Sequence, residues 1–200
     1  MLKTKLQNSK IVLFFNFMKR LFLCLFLFSC SKEGLFIPPV QGFNLQSYLG
    51  KWHEIARTDN SFERGCTDVT ALYTMRENGG ITVLNSCTKN GKIKQAKGVG
   101  YFKGSREEGE LKVSFFRPFY GTYRVIYVDE GYQNAIVYGG SEKYVWILSR
   151  SKNLTKEKLE YLLQKIESFG LKKGSLLLQG GPPNPKIKLK NSTLTAGKNL

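Results

Sequence analysis

His53 is the only histidine in this 200-residue chain, so hydrolysis by a Ser-His-Asp arrangement would have to use it. It directly follows Trp52, and neighbouring side chains on a strand point to opposite faces. A histidine there reads as outward-facing or internally satisfied, not as a general base. No close set of His, Cys, Asp and Glu has the spacing of metal ligands. Gly98-Val99-Gly100 is too short for a phosphate loop and lies within a strand-like run. No catalytic residue, metal or cofactor is therefore expected. What remains is cysteine chemistry, at Cys24, Cys30, Cys66 and Cys87.

The first belongs to a leader and the second stands at its cleavage point. Leu21 to Phe28 is a short apolar run preceded by Lys19-Arg20. It is far short of the roughly 20 residues that span a bilayer, and its flanks are those of a secretory signal. Leu27-Phe28-Ser29-Cys30 resembles a bacterial lipobox, in which a small residue precedes a cysteine that becomes diacylated; Phe28 is bulkier than the usual occupant. Residues 1–29 are thus expected to be removed and Cys30 to carry the anchor. Met18 makes an ordinary leader start, so Met1 to Phe17 reads as an upstream extension from a misplaced start codon. Cys66 and Cys87 remain. In an exported protein an even remainder points to one disulfide; two free thiols, one of them reactive, are the alternative.

The formal charge is +16. Five basic residues leave with the leader, taking it to about +11, and four lysines lie in the tail after Pro185. Such a balance draws an exported protein toward anionic lipid. Nucleic acid is the other standard partner of positive charge, but export and the scatter of the lysines argue against it.

The elements that must position these residues are strands. Ser31 to Gly42, with Pro38-Pro39, reads as a linker within the 30–43 segment. Turn signals then recur at Asn78-Gly79, Asn90-Gly91, Gly104 to Gly109, Pro118 to Gly121, Glu130-Gly131 and Gly139-Gly140. Between them lie strand candidates near 51–58, 67–75, 81–88, 92–103, 110–116, 122–129, 133–138 and 144–150. Consecutive hairpins make an all-β, eight-stranded, up-and-down antiparallel β-barrel, closed so that no edge is left and wide enough for one small ligand. Leu72, Leu84 and Ile126 break the apolar/polar alternation, so part of the outer wall must be covered. Leu154 to Phe169 supplies the cover: Thr155 as N-cap, an apolar stripe through Leu159, Leu162, Leu163, Ile166 and Phe169, and Gly170 past the end. Ser175 to Gln179 can add a short ninth strand. The Gly-, Pro- and Lys-rich stretch 180–200 reads as a disordered tail.

Specific motifs sit on this frame. Leu49-Gly50-Lys51-Trp52-His53-Glu54-Ile55-Ala56-Arg57 is followed by Phe62-Glu63-Arg64-Gly65, then Lys112 to Phe116 with Pro118-Phe119-Tyr120-Gly121, and last Trp146-Ile147-Leu148-Ser149-Arg150. In this order, over residues 44–179, the chain resembles the lipocalins, and among them the bacterial outer-membrane lipoproteins related to vertebrate apolipoprotein D. The family's middle motif is reduced to Asp129 and Tyr132. The resemblance implies that Gly50, Trp52, Asp129 and Arg150 are structural, with Arg150 stacked on the Trp52 ring at a closed floor. If the first strand starts at that floor, Cys66 and Cys87 both fall at the open end of adjacent strands. The open-end loops then carry a net charge of +2 and the floor loops −3.

Ala71, Tyr73, Met75, Val83, Asn85, Val113, Phe115, Tyr127, Tyr138 and Trp146 are expected to face inward as ligand contacts. The resulting expectation is a lipoprotein lipid-anchored through Cys30 in the bacterial outer membrane, on the periplasmic side, that stores or transports fatty acids or lysophospholipids. Ser31 after Cys30, where Asp would retain a lipoprotein at the inner membrane, fits that address. The alternatives are an enzyme that acts on lipid through a thiol at Cys66 or Cys87, and an envelope interaction module with a filled barrel. Oligomeric state is left open between monomer and dimer.

Overall fold

A computed structural model describes residues 35–179. The expected leader, Cys30 and the expected tail lie outside the described residues. A short helix α1 (Leu45–Tyr48) leads into β1 (Gly50–Thr58). Seven further strands follow: β2 (Thr67–Met75), β3 (Ile81–Lys89), β4 (Lys92–Phe102), β5 (Glu110–Phe116), β6 (Phe119–Val128), β7 (Asn134–Tyr138) and β8 (Val145–Ser149). Each pairs antiparallel with the next, and β1 pairs with both β8 and β2, so the sheet closes on itself. Beyond His53, β1 parts from β2 and pairs instead with β9 (Leu176–Leu178). The eight-stranded up-and-down barrel and the ninth strand expected from the sequence are both present.

The hairpins form where the sequence supplies positive φ. Asn90 (φ 53°) and Gly91 (φ 70°) make the tight β3–β4 turn, which demands the left-handed region at both central residues.

Helix α2 (Lys156–Ser168) begins at Thr155, whose hydroxyl accepts from the Lys158 N–H at 3.3 Å. It ends in a Schellman motif: Gly170 (φ 77°) donates to the Glu167 carbonyl and Leu171 to that of Ile166. Leu162, Leu163 and Ile166 are buried against Ile55, Ala56, Ile126, Ile136 and Ile147 of the outer wall. Ile126 is thus covered as anticipated. Leu72 stays 37% exposed on the outer surface and gets no such cover.

A second apolar cluster lies inside, around Phe43, Tyr48, Trp52, Tyr73, Val83, Leu111, Val125 and Val137. It fills the end of the barrel where β1 begins, the floor. The opposite end, the mouth, carries the β1–β2, β3–β4, β5–β6 and β7–β8 connections. Four register shifts bend the wall, between Glu54 and Ala56, Thr67 and Thr70, Val113 and Phe116, and Val125 and Tyr127. Each places two consecutive residues on one face and resets the alternation beyond it.

Candidate functional site: a hollow barrel with a plugged floor

The floor is built from one residue in the first strand and one just past the eighth. Trp52 is fully buried, and the Arg150 guanidinium lies 3.9 Å above its ring centroid. Arg150 also donates to four backbone carbonyls, of Tyr132, Lys51, Ser47 and Leu49, at 2.7–3.2 Å. It therefore staples α1, the start of β1 and the β6–β7 turn together. Gly50 lies beside it at φ 93°, a backbone conformation that side chains other than glycine's strain to adopt. Asp129 holds the turn from below: its carboxylate accepts from the backbone N–H groups of Gln133 and Asn134 and from the Asn134 side chain, at 2.7–3.0 Å. Tyr48 packs against Trp52, with ring centroids 4.9 Å apart and the planes tilted by 36°.

Above the plug, three tyrosine hydroxyls meet. Tyr123 Oη lies 2.7 Å from Tyr48 Oη and 2.8 Å from Tyr73 Oη. Burial pushes all three phenols up, so they stay neutral and satisfy one another. They form a polar but uncharged base to the cavity.

That cavity has a volume of about 480 Å³, with walls from Val69, Ala71, Tyr73, Val83, Val113 and Leu148 among others. A second lobe of about 720 Å³ shares Phe62, Glu63, Val69, Asn85 and Phe115 with it and extends toward the mouth, where Lys89 and Lys94 join the lining. Both volumes lie within the roughly 300–1,000 Å³ of small-molecule sites. The barrel is hollow.

Seven of the ten residues expected inside do line it: Ala71, Tyr73, Val83, Asn85, Val113, Phe115 and Trp146. Three do not. Met75 is 40% exposed, because Gly50 pairs with Tyr73 and β2 therefore overshoots the start of β1 below the floor. Tyr127 is turned out by the register shift after Val125 and packs edge-on against Tyr161 of α2. Tyr138 pairs with Val145 on the outer face and donates to the Leu35 carbonyl at 2.9 Å; its neighbour Val137, opposite Trp146, is the one inside.

The inside also holds charge that sequence reasoning passed over. Glu54, on the face of Trp52, accepts from Arg57 at 2.8 Å and from the Gln179 amide. Arg57 Nε lies 3.8 Å from Glu63, which also accepts from the Trp146 indole at 3.1 Å and from Asn60. Two carboxylates thus share one guanidinium. Burial, then the nearby Glu63 charge, push the Glu54 carboxyl up to about 7 against the pull of Arg57. Glu54 was legible by alternation from Trp52. Arg57 was not, since only the shift after Glu54 brings it inward. Asn85 Oδ1 is buried on the cavity wall without a hydrogen-bond partner.

Cys66 and Cys87 are joined as a disulfide across the mouth ends of β2 and β3, with Cα atoms 5.5 Å apart. A reaction through a free thiol at either position meets a sulfur already bonded. His53 does not reach the cavity lining. Among the described residues no group of three or more His, Cys, Asp or Glu could hold a metal, and no helix is long and apolar enough to cross a membrane.

This geometry can be set beside known proteins. The lipocalin-like domain family matches residues 43–179. The outer membrane lipoprotein Blc of Vibrio cholerae is 43% identical over 144 residues, covering 70% of this chain and 84% of that protein. Blc of Escherichia coli K12 is 44% identical over 126 residues, 62% of this chain and 71% of its own length. Mouse apolipoprotein D is 36% identical over 146 residues, 67% and 75% of the two chains. Among solved structures, insecticyanin of the tobacco hornworm Manduca sexta superposes with a TM-score of 0.62 at 21% identity, over 74% of this chain and 86% of that one, and so shares the fold. With a closed barrel, an Arg-on-Trp floor and a family match across the whole of it, the chain belongs to the lipocalin family.

Proposed function

We propose that the protein is a lipid-binding lipocalin of the bacterial outer membrane that stores or transports fatty acids or lysophospholipids. The observation that carries this reading is the hollow interior, apolar along most of its wall, with Lys89 and Lys94 lining the lobe toward the mouth. An acyl chain entering tail first would occupy the inner lobe and leave its carboxylate or phosphate beside those lysines. About a dozen buried methylenes at roughly 0.8 kcal/mol each contribute on the order of 10 kcal/mol. Immobilisation removes several of these, so micromolar binding is expected. Ala71, Tyr73, Val83, Asn85, Val113, Phe115 and Trp146 are the ligand contacts in this reading, and Asn85 Oδ1 supplies an acceptor in want of a donor.

The outer-membrane address is supported by the names of the Vibrio and Escherichia relatives. Attachment is assigned to lipid on Cys30, and the barrel to the periplasmic side. Native mass spectrometry after mild extraction tests the function: a co-purifying fatty acid or lysophospholipid in stoichiometric amount is expected. A protein that emerges empty and fails to take up either lipid at tens of micromolar refutes it.

A further inference from the structure

The mouth is not an ordinary solvated rim. Phe116 and Phe119, at the tip of the β5–β6 hairpin, are 76% and 71% exposed and stack on each other at 6.2 Å. Phe62 of the β1–β2 connection is 59% exposed and stacks on Tyr144 at 6.0 Å. Ile93 at the β3–β4 tip is 76% exposed. Large apolar side chains concentrated at one pole of a barrel mark an interaction surface. Basic residues are interleaved with them: Arg117 between the two phenylalanines, and Lys92 and Lys94 on either side of Ile93. The acids of this end are largely spoken for, since Glu63 is engaged by Arg57, Trp146 and Asn60, and Asp59 faces Arg64 at 3.4 Å. Glu142 is the remaining one.

We infer that the mouth docks directly on an anionic phospholipid bilayer, with Phe116, Phe119 and Ile93 set into the headgroup region and the surrounding lysines and arginine on the lipid phosphates. Exposed aromatics with adjacent cations are the composition of a membrane–water interface. Each basic residue close to an anionic surface adds roughly fivefold in affinity.

The path of the chain favours this occupant over a second copy of the protein. Leu35 sits beside the mouth-side end of β7, held by the Tyr138 hydroxyl, and from there the chain runs toward the floor, where Phe43 packs. Cys30 precedes Leu35 by five residues, at most roughly 18 Å of extended chain. A tether of that length leaving from the mouth-side half keeps the mouth near the membrane that holds it. This step rests on the Cys30 anchor proposed above; the patch itself does not. Lipid would then pass between bilayer and cavity without crossing free water.

The test uses the full chain carrying a photoreactive p-benzoylphenylalanine in place of Ile93, which lines neither lobe, or of Glu77 in the β2–β3 turn at the floor. Each is reconstituted in vesicles of phosphatidylethanolamine and phosphatidylglycerol, or of phosphatidylcholine alone, and adducts are read by intact mass. The expected result is a two-chain phospholipid adduct at position 93 at roughly tenfold the yield at position 77, falling at least about fivefold on the neutral vesicles. Equal yields at the two positions, indifference to anionic lipid, or cross-linking chiefly to a second copy of the chain would overturn the inference. So would an adduct at 93 that consists of the cavity's own fatty acid or lysolipid. In the same background Phe116→Ser with Phe119→Ser is expected to abolish the adduct while the melting transition persists; an undiminished adduct overturns the inference. Should that pair fail to fold, Lys92→Glu with Arg117→Glu gives the same reading through charge.

Discussion

Glu54 makes the stability of this barrel depend on pH in an unusual direction. The residue is 6% exposed, and its carboxyl is raised from an ordinary 4.5 to about 7, first by burial and then by Glu63. Between those values the folded chain holds a proton that the unfolded chain has released. Stability therefore falls as pH rises from about 5 to 7.5 and is flat above, because the slope follows the difference in bound protons between the two states. A shift of this size corresponds to about 3 kcal/mol. Glu54→Gln keeps the shape and cannot ionise, so it mimics the protonated form at every pH. The substitution is expected to change little at pH 5 and to stabilise by about 3 kcal/mol at pH 8, or roughly 6–12 °C in Tm for a domain of this size. Urea unfolding of parent and variant across pH 5–8, with the disulfide intact, measures it. His53 is shifted down by its partial burial and contributes with the opposite sign, but it is common to both proteins and cancels in the difference. Parallel stability curves for parent and Glu54→Gln would refute the reasoning, since they would mean that Glu54 is ionised inside the barrel at no cost.

Other consequences are direct. Arg150→Ala removes the cation–π contact and leaves four floor carbonyls short of a donor; a loss of about 3–4 kcal/mol in denaturant unfolding is expected, with Arg150→Lys restoring only part because an ammonium cannot reach all four. Cys66→Ala with Cys87→Ala opens a loop spanning 21 positions and should cost about 3 kcal/mol by chain entropy, while titration of the oxidised parent should find no free thiol at these sites. Ala71→Trp places an indole in the inner lobe and is expected to weaken displacement of a fluorescent fatty acid at least tenfold with Tm little changed; unaltered binding would place the ligand elsewhere.

Much of the fold could be read from local signals. Paired Asn-Gly and Gly-Gly turns marked the hairpins because only a few residues tolerate positive φ, and Thr155 and Gly170 marked the ends of the helix that the structure assigns to 156–168. The cavity wall was legible wherever strict alternation held, as along Val69, Ala71 and Tyr73. It failed where a single-residue register shift reset the parity: Tyr127 went outward and Arg57 inward, and neither shift has a mark in the residue types around it. Met75 failed for a different reason, the stagger between β1 and β2, which is a property of the pair and not of either strand.

The amino-acid order by itself determined the class of fold, the residues of the floor and the pairing options of the cysteines, because turn chemistry, strand period and the Gly-x-Trp and Arg motifs act over short stretches. Only the tertiary structure decided that the centre is hollow, that two carboxylates share one guanidinium inside it, and that the aromatic tips of separate hairpins gather at one pole. Those are matters of volume and of distances between segments up to a hundred residues apart. They are set when the sheet closes, and no local pattern of residues encodes them.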